Sequence, residues 1–302
     1  MEQQTQSNLN LADFSAEVAQ MPSVTPKRIL THFDYGAIYA ARLRKSLENG
    51  TSPFLPKDGI VKANGVYNMR TNSLHHGIQQ LMLKERQAEL GSPSTGFVSL
   101  DIIDKARRNG VDCAVKMGEH GFDILVQNPK NKEDTKTIKW FNESQLTKPE
   151  NLKAFLVQEQ KNNAKFKQEW LDKNKPGSTA RDASLKNPAR ENHGLIECTA
   201  KTPEEYLGQV FAAMSTGNDL KVAPEIADNF AKKTRELLDK KLDFKPEQTD
   251  LLAVFKLASK ANEYCQAYCR AIYKEQEKRK EKSAPVQKKT RGRDEEYGRA
   301  LY

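Results

Sequence analysis

Two adjacent histidines, His75 and His76, raise the question of chemistry first, because the chain holds only five histidines in 302 residues. A helical zinc site spaces two histidines four apart, so that both rings face one way. Here the positions four beyond are Gln79 and Gln80, and neighbours on a helix point about 100° apart. No H-E-x-x-H occurs, and "GEHG" sets His120 beside Glu119 without a second helical histidine. The spacing predicts no metal site. Nucleophilic chemistry has no better support. Cys113 and Cys198 lack a local signature, while Cys265 and Cys269 fall at i, i+4 on an apolar stripe, the setting of a buried structural cysteine. There is no nucleophile elbow, P-loop or dinucleotide glycine motif. The Glu204-Glu205 pair falls in the first turn of a predicted helix, where negative charge is favoured without any catalytic role. The expectation is a chain without catalytic residues, metal or cofactor. An enzyme with a degenerate metal site ranks last among its rivals.

Binding chemistry is better represented. Holding a nucleic acid needs cations for phosphates and flat side chains for bases. The formal charge of +9 favours a polyanionic partner. Lys62 and Arg70 flank Tyr67, Arg107 and Arg108 precede Lys116, and Lys139 abuts Trp140. Tyr67, in a Gly/Asn-rich loop, and Trp140 are the candidate stacking platforms. The competing reading assigns Tyr35, Tyr39, Phe54, Phe97, Phe122 and Phe141 to the core and the lysines to a solvated face. Strand alternation points Trp140 and Phe141 opposite ways, so only one can enter the core of a one-sided sheet. Asn68, Asn142 and Gln145 are candidates for phosphate or base contacts, or simply for holding their own turns. No helix-turn-helix or zinc finger is present to enter a major groove.

The elements that must position these residues can be read from periodicity. Residues 1–26 are polar and proline-broken, and read as a flexible N-terminus. From Asp34, apolar residues recur at helical spacing until Asn49-Gly50. Residues 51–67 read as a loop, and a second helix runs through Ile78, Leu81 and Met82 to about Glu89. A short extended entry, a helix near 100–108 and a stop at Gly110 follow. "CAVKMGEHGFDILVQNP" and "TKTIKWFNESQL" alternate as antiparallel strands, the first around a glycine-bracketed turn. Residues 27–150 thus read as an α+β domain with a small antiparallel sheet. Residues 151–200 read as a helix and linker, and 201–280 as an all-α C-terminal region entered at Thr202-Pro-Glu-Glu205. Residues 281–302 read as a charged disordered tail. No apolar run is long enough for a membrane span and no leader sequence is evident, so the expected localisation is cytoplasmic.

Several fragments, in order, resemble the N-terminal domain of ArdC-type antirestriction proteins of plasmids and other mobile elements. They are "SLENGTSPF", "NMRTNSLHHGIQQLML", "GFVSLDIIDKARRNGVDCAVKMGEHGF" and "WFNESQL". The second keeps the family pattern at Asn68, Thr71, Gly77, Ile78, Leu81 and Leu83. The third keeps it at Lys116, Gly118, Glu119 and Gly121, and the fourth at Phe141, Asn142 and Gln145. It departs at Asn72 for glycine, His75 for tyrosine and Gln79 for asparagine. The resemblance covers about residues 35–148. It implies an α+β domain that binds single-stranded DNA. Family members commonly add a zinc metalloprotease-like domain, which residues 200–280, without a histidine, do not resemble.

The expected function is therefore a non-catalytic single-stranded-DNA-binding accessory of antirestriction type. Its contacts are expected from Lys62, Tyr67, Asn68, Arg70, Thr71, His75, His76, Gln79, Arg107, Arg108, Lys116, Lys139, Trp140, Asn142 and Gln145. His75, at the edge of the binding surface, is expected to gain charge under mildly acidic conditions. The rival expectation is a protein-interaction module in conjugative transfer or host-defence evasion, acting mainly through its C-terminal helices.

Overall fold

In the computed structural model the structure describes residues 32–128, 131–174, 194–239 and 253–283. The expected flexible N-terminus and most of the charged tail and of the linker lie outside them. Helix α1 (His32–Glu48) leads to short strands β1 (Ile60–Val61), β2 (Tyr67–Asn68) and β3 (Ser73–Leu74), and then to α2 (Gly77–Glu89). Strand β4 (Gly96–Ser99), α3 (Leu100–Arg108), β5 (Ala114–Val115), β6 (Phe122–Asn128) and β7 (Asn131–Asn142) follow. A 3₁₀ turn (Glu143–Gln145), β8 (Leu146–Thr147) and α4 (Pro149–Asn174) come next. Beyond them lie β9 (Gly194–Glu197), α5 (Pro203–Thr216), β10 (Asn218–Lys221), α6 (Pro224–Asp239) and α7 (Ala253–Ser283). An α+β part followed by a largely helical one is the layout that periodicity predicts.

The central sheet has the order β3-β2-β4-β7-β6, antiparallel except for β2 beside β4. Its pleat sends successive residues to opposite faces, and both faces are covered. Phe97, Phe122, Ile124 and Trp140 join the larger cluster beneath α1, α2, α5 and α7. Val98 and Phe141 join a second cluster with Ile102, Ile103 and Leu152 from α3 and α4. The one-sided sheet assumed from sequence is corrected: Trp140 and Phe141 are both buried, on different faces. Each such aromatic side chain contributes about 1.5–3 kcal/mol by leaving water.

The antiparallel strands expected from the two alternating stretches pair as β6 and β7, while β5, before the Lys116–Gly121 turn, pairs with β8. One further expectation changes: the C-terminal region, expected to be all-helical, also carries strand, since β10 pairs antiparallel with β1 and parallel with β9. These contacts tie the C-terminal part to the N-terminal part. Tyr206 on α5 donates its hydroxyl to the Phe54 carbonyl at 2.7 Å, and Tyr39 on α1 donates to the Asp123 carbonyl at 2.9 Å.

Candidate nucleic-acid interface

The entry to α2 is built by local backbone chemistry. Asn68 Oδ1 accepts from the Arg70 amide at 2.9 Å, and the Asn68 carbonyl accepts from the Asn72 amide at 2.8 Å. Asn72 takes φ +54, a left-handed conformation that asparagine tolerates in place of the family's glycine. The Thr71 and Ser73 hydroxyls lie 2.6 Å apart. The chain then pairs back as β3 and enters α2 at Gly77, with φ +55. A Cβ there would stand 3.8 Å from the Ala258 carbonyl of α7, so α7 supports the turn from below. His76 precedes the helix and makes no side-chain cap, leaving the first helical N–H groups open.

This turn and the end of β6 enclose an open groove of about 510 Å³. It is lined by Asn68, Thr71, His75, His76 and Gln79 together with Ser73, Leu74, Ile78, Leu125 and Val126. No carboxylate is among these residues. The first five were singled out by sequence. Ser73, Leu74 and Ile78 adjoin them in the chain, but Leu125 and Val126 arrive through long-range packing of β6 against α2, for which the sequence holds no local signal.

His75 is the deepest polar residue here. Its Nδ1 lies 2.8 Å from Gln79 Oε1, and its ring meets Trp140 edge-on with centroids 4.7 Å apart. Neither His75 Nε2 nor Trp140 Nε1 has a hydrogen-bond partner among the described residues. Burial pushes the imidazole down to about 4, against an opposing contribution from the Gln79 hydrogen bond. His75 is therefore neutral under mildly acidic conditions, which corrects the expected gain of charge.

The other predicted contacts do not gather at the groove. Trp140 is only 4% exposed, so it offers no ring face to a base and acts as the floor beneath His75. Asn142, fully buried, accepts from Ser92 and Ser144 and donates to the Ser94 carbonyl. Gln145 Oε1 accepts from the Asn142 amide, and its Nε2 donates to Glu119 and the His120 carbonyl. Both amides are spent on holding the 3₁₀ turn. Tyr67 is half-buried, its ring laid against Gly96, and burial raises its phenol above the ordinary value. Lys62 pairs with Asp219 at 2.9 Å, Lys139 faces Asp123 at 3.8 Å, and Lys116 donates to the Ser144 carbonyl. Arg70, Arg107 and Arg108 are exposed, and of these Arg70 adjoins the groove in sequence.

Among the described residues no helix is long and apolar enough to cross a membrane, and no three His, Cys, Asp or Glu side chains gather as a metal-ion cluster. No family model and no curated protein match the chain. Among solved structures, a match is the metal-free crystal structure of the antirestriction protein ArdC from the R388 plasmid. It has 12% identity and a TM-score of 0.38, covering 77% of this chain and 96% of that one.

Proposed function

We propose that this chain is a non-catalytic single-stranded-DNA-binding protein of antirestriction type, an accessory of a plasmid or other mobile element acting in the cytoplasm. One observation carries the reading. The segment Asn68–Gln79, whose pattern resembles the ArdC N-terminal motif, is the segment that builds the open groove, whose described lining holds no carboxylate. The net charge of +9 adds a general attraction for phosphates. Arg70 supplies a cation beside the groove, with Arg107, Arg108, Lys116 and Lys139 on more distant surfaces. Bases then rest on the groove walls, and Trp140 acts only by supporting His75. The rival reading, a protein partner held by the C-terminal helices, has to do without their apolar faces. Those faces close on one another and on α1 and α2.

The test is binding of a labelled single strand as salt rises. For single strands the logarithm of affinity falls with a slope of about −0.7 per phosphate contact, so several contacts cost about tenfold or more between 50 and 200 mM. Duplex DNA and RNA serve as competitors. Absence of binding at low salt, or affinity indifferent to salt, overturns the reading.

A further inference from the structure

The rim of the groove presents side-chain amide donors, while the acceptor nitrogen of neutral His75, Nε2, is buried out of reach of solvent. Asn68 spends its Oδ1 on the Arg70 amide, and Gln79 turns its Oε1 to His75 Nδ1. Both side-chain NH₂ groups are left without a partner among the described residues. The Thr71–Ser73 hydroxyl pair uses one hydrogen internally and keeps one to give. The uncapped start of α2 adds open backbone N–H groups and the positive end of the helix dipole. Among the described residues no aspartate or glutamate lines the site to accept from an amino group. The walls Leu74, Ile78, Leu125 and Val126 are apolar. They suit the flat face of a base, whereas burying a phosphate against them would cost its hydration.

We propose that the groove is a base-reading site that selects keto-bearing bases of the bound strand. Asn68 Nδ2 and Gln79 Nε2 donate to ring carbonyl oxygens, and the apolar walls clasp the ring. The inference rests on the strand-binding reading above and adds a base preference to it. Thymine presents two carbonyl oxygens. 5-Methylcytosine keeps the methyl group and the shape but replaces the 4-oxo group with an amino donor, which would face donors here.

The experiment measures affinity of the whole chain for equal-length strands of thymidine, 5-methyldeoxycytidine and abasic sugar-phosphate. The expected order is thymidine first, by about tenfold over 5-methyldeoxycytidine, with the abasic strand weakest. Gln79→Glu and Asn68→Asp retain the oxygens that hold His75 and the Arg70 amide, and remove the free NH₂ groups. Each is expected to weaken all strands through added negative charge and to shrink the thymidine preference to about twofold. The ratio between strands is therefore the readout, and a folding defect common to all strands leaves it unchanged. Equal affinity for thymidine and 5-methyldeoxycytidine overturns the base preference while strand binding stands. An abasic strand bound as tightly as thymidine shows that the groove takes phosphate, and also overturns it. No binding of any strand at low salt removes the strand-binding reading itself.

Discussion

His75 shows how far a residue's type can mislead about its behaviour. It stands between Leu74 and His76 in sequence and its side chain titrates near neutrality in water, yet β7 brings Trp140 beneath it and burial lowers its pKa to about 4. In the unfolded chain the ring returns to about 6.5. Between those values the unfolded state binds more protons than the folded one, so this residue's contribution is fully present above about 6.5 and is lost as pH falls toward 4. The difference is on the order of 3 kcal/mol. His75→Gln removes the titration. Urea denaturation of both proteins from pH 7 to pH 4 should show the wild type losing on the order of 3 kcal/mol relative to the variant. A constant difference across that range would place the ring in water. Glu85 makes a related point about charge. It is 3% exposed and accepts from Ser52, and burial raises its carboxyl to about 8, so it sits neutral in the core at pH 7. Asn142 and Gln145 were legible as a pair by spacing, but their burial was not, because only the fold brings Ser92, Ser94 and Glu119 to them.

Elements were legible where their causes are local. The start of α5 follows from Thr202, whose hydroxyl accepts the Glu205 amide at 3.2 Å, and from Pro203 in the first turn. Its end follows from Gly217, left-handed at φ +75. Strands β9 and β10 were illegible because neither has alternating apolar residues long enough to signal itself, and the pairing of β10 with β9 on one side and β1 on the other joins distant parts of the chain. Helix packing hides a similar lesson at Gly208. Helix propensity alone favours alanine there by about 1 kcal/mol. A Cβ at Gly208, however, would stand 2.4 Å from Tyr264 Cβ and 3.0 Å from the Ala261 carbonyl of α7. Neither atom is the free end of a flexible side chain, so the helices themselves must part. Gly208→Ala is expected to destabilise the protein by about 1–3 kcal/mol in chemical denaturation. A stabilised variant would mean that the two helices pack less closely.

At the scale of the whole molecule, the core is shared between the N-terminal helices and sheet and the C-terminal helices. The larger cluster runs from Tyr35 on α1 to Cys265 on α7, and includes Leu81 and Met82 of the helix that frames the groove. Phe54 meets Phe211 of α5 edge-on at 6.1 Å, and Gly77 rests on α7. A fragment of residues 27–174 would keep every sequence motif of the strand-binding reading. It would lose the surfaces that bury Phe54, Leu81 and Met82, and the strand that pairs with β1. Exposing several large side chains at about 1.5–3 kcal/mol each is comparable with the roughly 5–15 kcal/mol that holds a domain together. The fragment is expected to lack a cooperative thermal transition and to bind a hydrophobic dye, while the full chain unfolds cooperatively. A sharp transition in the fragment would show that the central sheet and its first four helices fold alone. The groove would then owe its shape to the Asn68–His76 turn, α2 and β6 without support from α7.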